Sequence, residues 1–145
     1  DLNVRGLSLS KPPYGRLSAI DLNRGEILWQ TPHGDTPDRV LRHPALAGLD
    51  IPRTGEPCAG LVGPLVTRTL LIMGECSYHA WPGGQRGAML RAYDKATGAR
   101  VGEVPMPAPQ SGSPMTYMLD GRQYIVLAIS GGAYSGEYMA LRLPS

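Results

Sequence analysis

The chain has 145 residues and a formal net charge of +2, which is typical of one ordinary domain with a hydrophobic core. Its 19 glycines, 14 prolines and absence of phenylalanine favour many short strands joined by tight turns over a helical bundle. The 14 basic residues are scattered along the sequence, which argues against a nucleic-acid partner. No apolar run reaches the ~20 residues that span a bilayer, and no signal peptide is visible.

Two stretches share one strand-turn-strand pattern. Residues 17–29 combine alternating apolar residues, an Asn-Arg-Gly turn and a second apolar run that ends in Trp29. Residues 90–102 repeat the pattern, with Gly102 in the place of Trp29. The matched pairs are Ala19 and Ala92, Asp21 and Asp94, and Gly25 and Gly98. Because the aspartates recur at one turn position, we expect them to cap turn amides rather than act as catalytic carboxylates, and the duplication predicts a repeat protein.

The sequence around the first copy is less regular. Residues 1–13 predict an extended lead-in, followed by a first hairpin over residues 15–31. Residues 32–62 are rich in proline and poor in apolar residues, so we expect a loop excursion with one helical turn beginning near Pro37.

The second half of the sequence predicts two further groups of strands. The first group has strands at 63–67, 69–74, 89–94 and 100–104, with a polar loop over 75–87. Residues 105–112 predict a turn-rich connection without regular structure. Residues 113–129 predict a hairpin around Asp120-Gly121, a strong type I′ turn signal, and a final strand covers residues 137–143.

These strands, about nine in groups of two, four and three, predict an all-β fold in the form of a partial β-propeller with two to three four-stranded antiparallel blades. The predicted divisions are a half blade (1–31), a loop excursion (32–62), a full blade (63–104) and a last, incomplete blade (105–145). A propeller needs at least about four blades to close, so we expect a carboxy-terminal fragment of a longer protein. Its open sheet edges offer a route to homo-oligomers.

The sequence resembles the carboxy-terminal part of the quinoprotein dehydrogenases, which use pyrroloquinoline quinone (PQQ). The Ala-x-Asp-x-x-x-Gly-x-x-x-Trp unit at residues 19–29 resembles that family's tryptophan-docking motif. Residues 13–22, residues 112–126 and the Gly131-Gly132 pair resemble further family segments in the family's order. The resemblance runs from about residue 12 to the end and is closest to the membrane-bound, glucose-dehydrogenase-like branch.

The resemblance implies an eight-bladed propeller with PQQ and a calcium ion on its axis and a carboxylate base that takes a proton from the substrate. The family's base and calcium ligands lie upstream of the segment present here, so no catalytic or metal-binding residue is assigned in this chain. We therefore expect the segment alone to bind neither PQQ nor Ca²⁺ and to be inactive as a dehydrogenase.

Two positions depart from the pattern of the membrane-bound glucose enzymes. Those enzymes carry an acidic residue where this chain has Gly87, and a histidine where it has Ala133. Both departures weigh against glucose as the substrate.

Gly131, Gly132, Ala133 and Tyr134 are the candidate cofactor-binding residues. Glycines let the backbone approach a flat ligand closely and leave amides able to donate hydrogen bonds, although a simple bend between strands explains the same residues. Arg91 and Arg122 could pair with the quinone carboxylates, but solvent-facing strand positions explain them as well and are favoured.

The remaining candidates are favoured as structural residues. His33, His43 and His79 lie in three predicted loops without ligand spacing, so we expect surface or loop roles. Trp29 is expected to pack between blades with a partner for its indole N–H. Cys58 and Cys76 form one disulfide in an oxidising compartment or remain two unlinked thiols.

These features predict that the chain is the carboxy-terminal part of a PQQ-dependent sugar or alcohol dehydrogenase. Its predicted contribution is a set of blades that wall the quinone cavity. The expected partners are the remaining blades and a small sugar or alcohol substrate, and the expected location is the periplasm, with membrane association through upstream segments. The alternative is a propeller scaffold without a cofactor that binds other proteins, as in the outer-membrane assembly lipoproteins that share the repeat motif.

Overall fold

Antiparallel strands make up most of the chain in the computed structural model, which describes residues 3–81 and 84–143. In chain order the strands are β1 (Asn3–Val4), β2 (Leu7–Ser8), β3 (Arg16–Asp21), β4 (Glu26–Pro32), β5 (Leu65–Val66), β6 (Leu70–Gly74), β7 (His79–Ala80), β8 (Arg86–Asp94), β9 (Arg100–Met106), β10 (Gln110–Leu119), β11 (Arg122–Gly131) and β12 (Tyr134–Arg142). This architecture confirms the all-β prediction. The predicted outer limits, residues 1 and 145, lie outside the described residues.

The connection between β4 and β5 is the predicted loop excursion with little regular structure. It contains a one-turn helix, α1 (Asp38–Leu41), and two 3-10 turns at Pro44–Leu46 and Ala59–Leu61. The helical turn begins directly after Pro37, as expected for a residue that fixes φ near the helical value. Among the described residues, no helix is long and apolar enough to cross a membrane.

The middle sheet has the strand order β5-β6-β8-β9, all antiparallel, with the short β7 added beside the start of β8. The four strands predicted for this stretch are therefore confirmed. The first hairpin, β3-β4, and a three-stranded sheet, β10-β11-β12, are the sheets before and after it in the chain.

The turns of the two repeat copies have the predicted chemistry. The Asp21 carboxylate accepts hydrogen bonds from the amides of residues 23 and 24, and Asp94 accepts them from residues 96 and 97. Gly25 and Gly98 have φ of +69° and +74°, where a side chain is strained. Capping is thus confirmed as the role of both aspartates.

Trp29 joins the first hairpin to the middle sheet. Its indole N–H donates to the Lys95 carbonyl over 3.0 Å, and its ring lies so close to Gly98 that a Cβ there would be 2.5 Å from it. The half-buried indole packs against a small core of Leu17, Met73 and Tyr93. The prediction that Trp29 packs between neighbouring sheets is confirmed.

The middle and last sheets enclose the larger core and share a polar clasp. The core residues are Ile72, Ala88, Leu90, Met106, Ala108, Leu127 and Ile129. The clasp is the Gln110 side chain, whose oxygen accepts from the Gly74 amide over 2.6 Å and whose amide donates to the carbonyls of Gly63 and Gly112 over 2.7 and 2.8 Å. Buried polar groups normally have such partners, and this side chain has three.

Three parts of the strand prediction are wrong. Residues 3–8 form the β1-β2 hairpin instead of an extended lead-in. Residues 105–112 are mostly strand, because β9 continues through Met106 and β10 starts at Gln110. Pro105 is tolerated there since β9 is an outer strand, where a missing N–H leaves no ladder bond unmade. The loop over 75–87 contains β7 and the start of β8, and its residues 82 and 83 lie outside the described ranges.

Candidate functional site

The glycine pair proposed as a cofactor site forms the turn between β11 and β12. Gly131 and Gly132 have φ of +152° and +57°, conformations that side chains disfavour. Ala133 is exposed, and the Tyr134 hydroxyl donates to the Glu137 carboxylate of its own strand.

A cavity of about 460 Å³ opens beside this turn, and we call it the glycine cavity. Its lining residues are Leu61, Val62, Cys76, Ser77, Tyr78, Arg86, Pro109, Gln110, Ser111, Gly112, Ser130, Gly131 and Gly132. Two of the four predicted residues, Gly131 and Gly132, therefore face one cavity. Ala133 and Tyr134 are not among the residues that line it. Its volume lies within the range of small-molecule sites.

Two side chains in the glycine cavity were missed by sequence reasoning. The Tyr78 hydroxyl donates to the Gly131 carbonyl over 2.8 Å, and the Arg86 guanidinium lies 5.4 Å from the centre of the Tyr78 ring. Both residues come from a stretch whose polar, glycine-rich sequence indicates only a loop. The position of Arg86 at the start of a strand beside β7 places it at the cavity.

A disulfide fixes the long β4-β5 connection to the cavity wall. Cys58 and Cys76 are bonded, which settles the alternative that the sequence left open. The buried Glu56 carboxylate adds a second attachment, since it accepts hydrogen bonds from the Cys76 amide over 3.0 Å and from the Ser77 hydroxyl. These bonds hold residues 76–78 in place.

The expectation that Arg91 faces solvent is wrong. Its guanidinium is only 1% exposed and binds three carboxylates: Glu75 at 2.6 Å, Asp35 at 2.7 Å and Glu103 at 2.7 Å. Burial raises the pKa of Glu75 although Arg91 opposes that shift, and burial acts to lower the pKa of Arg91 but the carboxylates raise it overall. Arg122 does face solvent, next to the Asp120-Gly121 turn.

The expectation of surface or loop roles is wrong for His79, a buried strand residue, whereas His33 lies in a loop as expected but is buried there. His33 is fully buried, with its ring nitrogens 3.0 Å from the Tyr93 hydroxyl and 3.0 Å from the Gly74 carbonyl. His79 is buried against Glu56, and its Nε2 is hydrogen-bonded to that carboxylate. Burial lowers the pKa of His33, whereas the Glu56 hydrogen bond raises the pKa of His79. His43 is half-buried and accepts a hydrogen bond from the Ala45 amide, a loop role as expected.

Glu75 and His79 border a second cavity of about 380 Å³, the acidic cavity, which Asp35, Arg53 and Trp81 also line. The Trp81 ring covers Gly87, because a Cβ on Gly87 would lie 2.3 Å from the ring. The space beside Gly87 is thus filled by an indole from the neighbouring segment. A side chain at residue 87 would require Trp81 to move.

Glu56, Glu75 and His79 bring their ligand atoms within 4.8 Å of one another, a spacing that a metal ion could use. Their oxygens already have other partners. Both Glu75 oxygens accept bonds, one from the Arg91 guanidinium and the other from the Met89 amide, and the two Glu56 oxygens accept from the side chains and amide described above. Arg91 neutralises one of the two carboxylates and His79 binds the other, so this group fits a calcium ion poorly.

The antiparallel sheets, placed in sequence with their connecting loops at a shared cavity, define part of a β-propeller. A family model described as "PQQ: Glucose/ethanol/alcohol dehydrogenase, beta-propeller domain" matches residues 1–125. The chain therefore belongs to this family of PQQ-dependent dehydrogenases, and the sequence-based resemblance is confirmed.

Comparison with known proteins identifies relatives along nearly the whole chain. A probable quinate dehydrogenase (quinone) of Xanthomonas campestris pv. juglandis is 35% identical over 99% of the chain and 17% of that protein. The quinoprotein glucose dehydrogenase of Escherichia coli (strain K12) is 30% identical over 99% of the chain and 17% of that protein. A glycerol dehydrogenase large subunit of Gluconobacter thailandicus is 32% identical over 87% of the chain and 16% of that protein. The chain spans about a sixth of the length of these relatives.

Proposed function

We propose that this chain is the carboxy-terminal part of the propeller of a PQQ-dependent dehydrogenase that oxidises an alcohol group of a sugar or another small polyol. The observation that carries the proposal is the glycine cavity, where Gly131 and Gly132 present backbone without side chains. Its divisions are those predicted above: a half blade (1–31), the excursion (32–62), a full blade (63–104) and an incomplete blade (105–145). The contact of Trp29 with the next repeat supports its assignment to a tryptophan-docking motif.

The residues of the cavity fit PQQ, which is planar and carries carboxylates. Glycine at 131 and 132 lets the flat Tyr78 ring lie against the backbone of the cavity wall, and Arg86 is the charged residue among those that line the cavity. When bound, PQQ supplies the chemistry by accepting the electron pair removed from the alcohol carbon. The role of this chain is to wall the site and orient the cofactor. The catalytic base and the calcium ligands belong to blades outside it.

The substrate class follows from the relatives, which are named for quinate, glucose and glycerol. All three compounds carry several hydroxyl groups, which favours a polyol substrate for this protein. Trp81 over Gly87, and Ala133 in place of a histidine, weigh against glucose itself. Because each relative described above is named as a dehydrogenase, the enzyme is favoured over the scaffold.

We place the protein in the periplasm. The Cys58–Cys76 disulfide supports this location, because disulfides persist in oxidising compartments and are rare in the cytosol. The remaining blades of the propeller are its expected partners, and the open edge of β12 is where a further strand would pair.

The test is a dye-reduction assay on the complete reading frame that contains this chain, reconstituted with PQQ and Ca²⁺. We expect PQQ-dependent reduction of an artificial electron acceptor with at least one member of a panel of glucose, glycerol, quinate and ethanol. Failure of a folded, reconstituted protein on all four would contradict the proposal and favour the scaffold.

A matched pair of variants localises the effect. Gly132→Val is expected to weaken PQQ binding about tenfold or more, because its side chain would stand beside the cavity at a positive φ. Gly121→Val places the same strain, at φ +73°, in the turn between β10 and β11. Equal losses of PQQ affinity in the two variants would show that backbone strain, and not a side chain beside the cavity, weakens PQQ binding.

A further inference from the structure

We propose that Arg86 and Tyr78 form the recognition site for a carboxylate on a planar aromatic ligand within the glycine cavity. The proposal rests on the proposed function, in which that ligand is PQQ. It assigns the carboxylate contact to an arginine that sequence reasoning did not consider, in place of Arg91 and Arg122.

The geometry of the site comes from the packing of the Tyr78 ring. A Cβ added to Gly131 would lie 3.2 Å from the ring and one on Gly132 would lie 3.8 Å from it, so the ring lies against both glycines. The Tyr78 hydroxyl fixes the ring in this place through its 2.8 Å bond to the Gly131 carbonyl. Arg86 lies 5.4 Å from the ring centre, a separation at which a guanidinium is attracted to an aromatic face.

The charge of Arg86 is available to a ligand. Within the described ranges Arg86 makes no ion pair, whereas Arg91 is neutralised by three carboxylates. Arg86 is exposed and is the charged residue in the lining of the glycine cavity. A guanidinium binds a carboxylate through two parallel hydrogen bonds, and its plane can stack on an aromatic group at the same time. A planar aromatic carboxylate offers both a carboxylate for the paired hydrogen bonds and an aromatic ring for stacking.

Arg86, Tyr78 and the two glycines all belong to this chain. We therefore expect the chain alone to bind PQQ weakly, in contrast to the sequence-based expectation that it binds none. Weak binding does not imply turnover, because the base lies elsewhere in the proposed enzyme.

The experiment is a calorimetric titration of the chain with PQQ and with its trimethyl ester, which lacks the carboxylate charges. We expect saturable binding of PQQ, weaker binding of the ester and a decrease in affinity as salt is added. Arg86→Gln is expected to lower the affinity for PQQ about tenfold, because it removes a charged hydrogen bond, and to abolish the preference over the ester. Arg86→Lys keeps the charge but loses the planar fork, so an intermediate affinity is expected.

Arg122→Gln is the matched control. It removes the same charge from an exposed arginine at the other end of β11, about 30 Å from Gly131 along the strand, and should leave the affinity unchanged. Tyr78→Phe retains the ring but loses the hydrogen bond to Gly131. We expect it to lower the affinity for PQQ by less than Arg86→Gln does.

Each outcome separates this proposal from the proposed function. Undiminished PQQ binding by Arg86→Gln, or an equal loss in Arg122→Gln, would overturn the role of Arg86 and leave the dehydrogenase proposal standing. The absence of saturable binding to the wild-type chain would also overturn it. The dehydrogenase proposal fails only in the separate dye-reduction assay on the complete reading frame.

Discussion

Gly98→Ala tests how the first hairpin is fastened to the middle sheet, and Gly25→Ala is its built-in control. Both glycines occupy the same position of the repeated turn, with φ of +69° at Gly25 and +74° at Gly98. They differ in their surroundings. A Cβ at Gly25 would have no atom within 4 Å, whereas a Cβ at Gly98 would lie 2.5 and 2.7 Å from two atoms of the Trp29 ring.

The magnitudes follow from these two facts. A left-handed backbone conformation costs a side-chain-bearing residue about 1–2 kcal/mol, and both variants bear this cost. In Gly98→Ala the indole must also move out of its contact, and overpacking of this kind costs about 1–3 kcal/mol more. The free energy of unfolding should therefore fall by about 1–2 kcal/mol in Gly25→Ala and by about 2–5 kcal/mol in Gly98→Ala.

Urea denaturation followed by tryptophan fluorescence and far-ultraviolet circular dichroism measures both changes. The indole N–H of Trp29 bonds to Lys95 in the same turn, so the fluorescence of Gly98→Ala should also shift before unfolding. Equal destabilisation of the two variants, within about 0.5 kcal/mol, would refute the account of Trp29 as the fastening between these sheets.

Four further predictions concern the buried charges and the activity. Arg91→Met should lower the free energy of unfolding by about 3–5 kcal/mol, measured by urea denaturation, because it leaves the buried Glu75 carboxylate without its cation; a loss below 1 kcal/mol would contradict the buried network. His79, whose pKa Glu56 raises above 6.5, contributes stability that is complete below pH 6.5 and is lost as the pH rises through the folded pKa, so His79→Gln should flatten that limb of a stability-pH profile. Burial lowers the pKa of His33 from 6.5, so its effect on stability has the opposite sense. Its contribution to the free energy of unfolding is complete above pH 6.5 and is lost as the pH falls towards the folded pKa. This low-pH limb of the profile should persist in His79→Gln. The chain alone should reduce no electron-acceptor dye above the background of free PQQ with Ca²⁺ and a panel of sugars and alcohols; clear turnover would show that this segment holds its own base.

Local features of the fold were predictable from sequence. The turn at Asp120-Gly121 has φ of +49° and +73°, as a type I′ turn requires, because dipeptide chemistry alone determines such a turn. The caps at Asp21 and Asp94 were also predictable, since each acts on amides within three residues. Repetition strengthened the interpretation of the two caps, because a chance pattern rarely occurs twice at one spacing.

The buried polar network was not predictable, because its partners are distant in the chain. Arg91 follows the alternation of an ordinary strand, and only the long β4-β5 connection brings Asp35 to it. His33 is paired with Tyr93 by the same folding of that connection. Sequence reasoning assigned these side chains to solvent because a charged or polar residue is usually exposed, and it had no means to foresee which loop would cover them.

The cofactor-binding candidates differed in how far the sequence could reveal them. The glycine pair could be found from its effect on the backbone, whereas Arg86 could not be distinguished from the other arginines until the strand pairing placed it beside Tyr78.

The two junctions of the middle sheet differ in chemistry, and they should therefore differ in their response to temperature. Trp29 fastens the first hairpin mainly by apolar contact, which weakens on cooling. Gln110 adds to the packing of the last sheet two hydrogen bonds that cross to Gly74 and Gly63, and Gly102 stands in the second repeat copy where the first has Trp29. Chilling should thus weaken the apolar packing at both junctions, while the glutamine bonds across the second junction keep holding the wall of the glycine cavity.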